Sequence, residues 1–152
     1  MLDPAGELLI MRFHHEDMIS VFELEQMCFS DPYPWWLLSE LARKNPDTFL
    51  VARMKDRIVG YAIIDCSKDL YHLVSIAVHP DFRRTGVATG LLHGLDERLT
   101  NRGPIRLEVR ESNDAAIQFY SKHGFEKRDV VPGYYADGEN AIVMEKPMTG
   151  MS

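Results

Sequence analysis

A chain of 152 residues, 45% of them hydrophobic, is the usual size of one domain and carries enough apolar residues to bury one core. Its net charge of −6, with no long run of like charge, excludes a basic arm for phosphate backbones, so nucleic acid is set aside as a partner. No apolar stretch approaches the roughly 20 residues that a membrane span needs, so no membrane partner is expected. The opening "MLDPAGELLIMRFHHED" has a proline and acids where a signal peptide needs a basic region and an apolar run. The expectation is a soluble, cytoplasmic protein: residues 1–10 an N-terminal extension reaching into the first strand, 11–148 a single domain, 149–152 a tail, and residues 1–6 loosely attached. Cys28 and Cys66 lack C-x-x-C spacing and read as reduced thiols buried in the core.

Taken in chain order, "LLIMRF" (Leu8 to Phe13) reads as a first strand, continuing far enough to point His14 and His15 to opposite sides. From His15 to Met27, Met18, Val21, Phe22 and then Cys28 recur at helical spacing behind Glu16 and Asp17, acids that suit a helix start. "SDPYPWW" breaks that helix, and Pro34 is expected at the first position of a second helix running to Lys44. "TFLVARM" and "IVGYAIID" form an antiparallel hairpin around "KDR", and "YHLVSIAV" is the next strand.

A helix then carries Val87, Leu91, Leu92, Leu95 and Leu99 on one face and stops near "NRGP". "IRLEVR" alternates as a half-buried strand; "SNDAAIQFYSKHG" is a short helix capped by Ser112 or Asn113; "FEKRDVV" and "NAIVMEKP" are two more strands around "PGYYADGE". This order predicts an α/β (α+β) chain with a mixed, mostly antiparallel sheet of six to seven strands, flanked on both faces by about four helices.

The turn "HPDFRRTGVATG", between a buried strand and an apolar helix, is the most informative stretch. Glycine at such a junction leaves the first amides of the helix pointing outward beside the positive end of its dipole, and Arg83 and Arg84 add charge. That combination cradles an anion as readily as it makes a plain turn with solvated arginines. No nucleotide P-loop and no G-x-G-x-x-G spacing is present. Arg83 to Ala88 does match R-x-x-G-x-A, which resembles the pyrophosphate-binding motif Q/R-x-x-G-x-G/A of the GCN5-related N-acetyltransferases (GNAT). With "LEVRESN", "AIQFY", "HGF" and "GYYADGENAIVM" following in order, the chain from about Met11 to Met148 is similar to the RimI and archaeal Nα-acetyltransferase branch of that superfamily.

The resemblance implies a GNAT fold, acetyl-coenzyme A as the acyl carrier, and transfer to the α-amino group of protein N-termini, including ribosomal or nascent chains. The coenzyme would contact Ile76, Ala77 and Val78 along the strand end, with the Val78 N–H facing the thioester oxygen. Arg83, Arg84, Thr85, Gly86, Val87, Ala88 and Thr89 would take its diphosphate, with Asn113 and Tyr120 as further contacts. Glu108 matches the general base and Tyr120 the acid that protonates the departing thiolate. By pattern alone Glu108 equally reads as a cross-strand salt-bridge partner, Tyr120 as core packing and Asn113 as a helix cap.

Phe29, Pro32 and Tyr33, with Tyr134 and Tyr135, match the positions that receive the peptide's first residues; "VVPG" stands where the bacterial pattern has an arginine. Tyr71 aligns with a catalytic tyrosine of one eukaryotic branch and is a weak candidate. An α-amino group with pKa about 7.8 costs only about 1.1 kcal/mol to deprotonate at pH 7, against about 4.6 kcal/mol for a lysine, so a modest base suffices for an N-terminus. Acetylation of lysine side chains or small amines, and a non-catalytic acetyl-coenzyme A-binding subunit, are the alternatives. The six histidines have no ligand spacing, so no metal is expected, and His79 is expected to face solvent.

Overall fold

Four consecutive apolar residues, Phe49 to Ala52, are fully buried, which a strand achieves only when both of its faces are covered. They lie in β2 (Phe49–Met54), between β1 (Leu9–Arg12) and β3 (Arg57–Ser67), both antiparallel to it. The computed structural model describes residues 7–67, 70–99 and 103–147; residues 1–6, expected to be loosely attached, and the expected tail, 149–152, lie outside them. Among the described residues no helix is long and apolar enough to cross a membrane.

The chain forms two compact units. The first holds residues 7–66 and 74–99: β1, α1 (Met18–Cys28), α2 (Trp35–Lys44), β2, β3, the later part of β4 (Leu70–Val78) and α3 (Val87–Arg98). Val21, Leu24, Leu38 and Leu41 from α1 and α2 pack on Phe49, Val51, Tyr61 and Ile63. On the opposite face of β2 and β1 lies α3. Each fully buried Leu, Ile or Phe in such a core contributes about 1.5–3 kcal/mol.

The second unit holds the start of β4, β5 (Ile105–Arg110), α4 (Asp114–Lys122), β6 (Glu126–Val131) and β7 (Ala141–Lys146). Here β5 runs parallel to β4, with Tyr71↔Ile105 and His72↔Arg106 in register. It runs antiparallel to β7, which pairs antiparallel with β6. The sheet order is β1-β2-β3-β4-β5-β7-β6, seven strands in a mixed sheet with β4 and β5 parallel, as the order of elements predicted.

Several local expectations are corrected. Pro34 is the N-cap of α2, at φ −72° and ψ 161°, because its extended ψ precedes the first helical residue, Trp35. The first strand stops at Arg12 and His14 instead caps a short 3-10 turn, His15–Asp17, whose Asp17 carboxylate accepts the His14 N–H at 2.9 Å. That turn takes the place of the first turn of the expected helix. His79 is half-buried, its side chain 16% exposed, and its Nδ1 accepts the Asp81 N–H in capping the next 3-10 turn. Both cysteines are free; Cys28 is half-buried and packs against the core as expected, but Cys66 is exposed near the end of β3 and is no core filler.

Candidate active site

In the first unit, β4 ends at Val78 and the chain passes through His79 and a 3-10 turn, Pro80–Phe82, before α3 begins at Val87. Two residues of this connection adopt left-handed backbone, Arg84 at φ 64° and Gly86 at φ 87°. Such alternation turns neighbouring amides toward a common concavity. The Gly90 N–H bonds the Gly86 carbonyl at 2.9 Å, so the Val87 and Ala88 amides ahead of it have no helical carbonyl to meet and mark the positive end of the dipole. A methyl group built on Gly86 would meet no atom within 4 Å, which leaves the concavity open to a diphosphate. The Thr85 hydroxyl closes the turn by donating to the Phe82 carbonyl.

The two arginines serve different ends. Arg84 is exposed on the turn. Arg83 folds back: its Nε donates to the Val78 carbonyl at 3.1 Å and its Nη2 lies 3.5 Å from Cys28 Sγ, so it braces the end of β4. Across the trans peptide after Val78, the His79 N–H donates to Val59 on β3 at 2.7 Å. Alternation along the strand therefore turns the Val78 N–H away from β3. Gly60 lets this end of β4 settle, since a Cβ there would lie 2.8 Å from the Ala77 carbonyl oxygen and 3.0 Å from Val87 Cγ1. Ala77 is buried between the half-buried Ile76 and Val78. Between α1 and α2, Phe29 is exposed, Pro32 and Tyr33 are half-buried, and the Tyr33 N–H donates to Glu25 at 2.9 Å.

In the second unit, strand alternation buries Leu107 and Val109 and leaves Arg106, Glu108 and Arg110 on the other face. Because His72 is in register with Arg106, its side chain shares that face, and Nε2 lies 2.7 Å from Glu108 Oε1. A carboxylate only accepts, so with a neutral imidazole the proton is on Nε2, which donates, and the ring's lone pair is on Nδ1. His72 was invisible to sequence reasoning; its one signal is an imidazole in a strand whose other polar side chains are only Tyr71 and Ser75. The same alternation turns Tyr71 to the opposite face from His72, which removes it as a partner for Glu108.

Tyr120 is buried on α4 against Phe119 and Phe125. Burial first, then the neighbouring Tyr135, pushes its hydroxyl above the ordinary range. Asn113 caps α4, its Oδ1 accepting the Ala116 N–H at 3.1 Å. Between β6 and β7, Tyr134 is 50% exposed and meets Tyr135 edge to face at 5.0 Å. Partial burial and then the charge of Glu108 raise the Tyr134 pKa. Arg110 holds this loop: Nη1 donates to Asp137 at 2.9 Å and Glu139 at 2.8 Å, and its guanidinium covers the Tyr135 ring. Among the described residues no group of three or more His, Cys, Asp or Glu is placed to hold a metal ion.

The sequence profile of the acetyltransferase (GNAT) family matches residues 12–125. An uncharacterised N-acetyltransferase of Methanocaldococcus jannaschii is 37% identical over 91% of this chain and 91% of its own length. An N-alpha-acetyltransferase of Saccharolobus solfataricus is 32% identical over 96% of each chain. The crystal structure of Ard1 from Thermoplasma volcanium, 31% identical, superposes with a TM-score of 0.88 over 94% of this chain and 99% of that one. With the turn, the strand order and these matches in agreement, the chain belongs to the GNAT acetyltransferase family.

Proposed function

We propose that this protein transfers an acetyl group from acetyl-coenzyme A to the α-amino group of protein N-termini. The carrying observation is the His72–Glu108 pair, a 2.7 Å hydrogen bond from the imidazole Nε2 to the carboxylate on one face of neighbouring strands. The similarity to the S. solfataricus N-alpha-acetyltransferase supports the substrate class. When bound, the coenzyme supplies an activated acyl thioester. Arg84 and the amides from Gly86 to Ala88 would hold its diphosphate, and the backbone of Ile76 to Val78 its acyl arm; Thr89 and Asn113 are further proposed contacts.

The remaining roles fall to side chains and one amide. Glu108, its carboxylate held by His72, accepts the proton of the attacking amine, directly or through one water. The cost it must meet is about 1.1 kcal/mol for an α-amine at neutral pH, which a carboxylate near solvent can meet. The Val78 N–H donates to the oxygen that gains charge as the amine attacks. Tyr120 stays protonated across the neutral range and donates a hydrogen bond to the departing thiolate. With its pKa above that of a thiol, about 8.5, full proton transfer is uphill, so the hydrogen bond is its main contribution. Phe29, Pro32, Tyr33, Tyr134 and Tyr135 would contact the first residues of the peptide.

The test is incubation with acetyl-coenzyme A and peptides beginning with Ser, Ala, Met or Thr, set against a panel of small amines and of lysine peptides with blocked N-termini. An acetyl mass shift confined to free N-termini, with release of thiol, is the expected outcome. Faster turnover of a small amine or a lysine side chain, or coenzyme binding without product on any amine, would overturn the reading.

A further inference from the structure

Glu25 is a buried carboxylate that the mechanism above does not use. It is 1% exposed and lies on the inward stripe of α1 with Val21 and Leu24. A charge in such a place is costly unless donors surround it. Among the described residues its hydrogen-bond partners are neutral: Oε2 accepts the Tyr33 N–H at 2.9 Å, while Oε1 accepts the Tyr61 hydroxyl and, at 3.3 Å, the Ser75 hydroxyl. Burial raises its pKa, and these hydrogen bonds pull it back down. A leucine would fill the same space without that cost. What a leucine cannot do is hold a loop amide and two sheet hydroxyls together.

The loop it holds runs between α1 and α2, and its Tyr33 packs against the core of the first unit. In Pro32-Tyr33-Pro34 the two prolines have no N–H, so the Tyr33 amide is the only backbone donor of the three residues. Tyr61 is fully buried on β3 and Ser75 is buried on β4, both in the floor of the first unit. One carboxylate thus fastens a proline-rich loop to a rigid sheet.

We infer that Glu25 is a positioning residue, fixing through the Tyr33 amide the loop that carries Phe29, Pro32 and Tyr33 in the conformation that receives the acceptor peptide. This rests on the N-terminal acetyltransferase reading above. Glu25 itself touches no substrate.

Steady-state kinetics with the best peptide from the panel test it. Glu25→Ala should raise the peptide KM about tenfold while kcat and the KM for acetyl-coenzyme A move less than about threefold. Glu25→Gln should recover most of the loss: its carbonyl can accept the Tyr33 N–H, and its amide can donate to hydroxyls that rotate to accept. Independently of turnover, the Tyr33 amide of the unaltered protein should exchange with deuterium at least about 100-fold more slowly than an unprotected amide. Should Glu25→Ala fail to fold, this exchange rate and the Glu25→Gln kinetics decide. Parallel losses in both KM values and kcat, a shift in Tm alone, or a fast-exchanging Tyr33 amide overturn the inference and leave the acetyltransferase reading intact. An unaltered protein that acetylates no peptide overturns both.

Discussion

The guanidinium carbon of Arg110 lies 4.2 Å from the centre of the Tyr135 ring. Strand β5 thereby reaches into the loop between β6 and β7 and holds one of the two tyrosines proposed to meet the peptide. Because the same guanidinium also bonds Asp137 and Glu139, one side chain sets the shape of the loop. Arg110→Ala should raise the peptide KM about tenfold with the KM for acetyl-coenzyme A unchanged. Arg110→Lys should restore little, since an ammonium cannot cover a ring and bridge two carboxylates in one plane. Separate titrations of peptide and coenzyme check this.

The same loop should respond to acid. Hydrogen bonds from Ser112, then from Arg110, lower the Glu139 pKa from 4.5 to about 2. The Glu139 N–H and then Arg110 lower that of Asp137 from 3.8. Carboxylates with depressed values in the folded state stabilise it fully above their ordinary values and lose that contribution as pH falls through the folded ones. Loop order should therefore hold from neutrality down to 4.5 and loosen as pH falls from there toward 2. The Tyr135 ring resonances report it, and Arg110→Ala should flatten the transition.

Glu108 and His72 should behave as one device. Glu108→Gln should lower the single-turnover rate by about 10² or more, and His72→Ala by less, with coenzyme affinity unchanged. The double variant should be little slower than Glu108→Gln alone, because residues acting as a unit are not additive. Tyr120→Phe should slow the same step without weakening coenzyme binding. Additive losses in the Glu108 and His72 pair would separate their roles.

Two glycines near the turn should fail differently. Gly60→Ala drives a methyl to 2.8 Å from the Ala77 carbonyl, so it should cost about 1–3 kcal/mol and lower Tm by several degrees. At Gly86 space is open but φ is 87°, so Gly86→Ala carries about 1–2 kcal/mol of backbone strain. Relief of that strain would reshape the amide concavity. Calorimetric titration should find coenzyme binding weakened by Gly86→Ala beyond its effect on Tm, and by Gly60→Ala only in step with it.

The sequence by itself determined whatever depends on residues within a few positions of one another. Alternation in "IRLEVR" placed Glu108 on the polar face of a strand, Ser112 or Asn113 announced the start of α4, and R-x-x-G-x-A marked a glycine turn at a helix start. These signals are legible because backbone sterics and strand or helix periodicity act locally. Only the tertiary structure decided which distant side chains share a face. His72 meets Glu108 because β4 and β5 run parallel in one particular register, which neither strand encodes alone. Glu25 meets the Tyr61 and Ser75 hydroxyls because β3 and β4 bring them to the inward face of α1. Arg83 bonds the Val78 carbonyl because the turn folds back on the end of β4, and Cys66 reads as core until its strand runs out to solvent. In each case the deciding energy is burial or a hydrogen bond between segments far apart in the chain, so it exists only once the chain has folded.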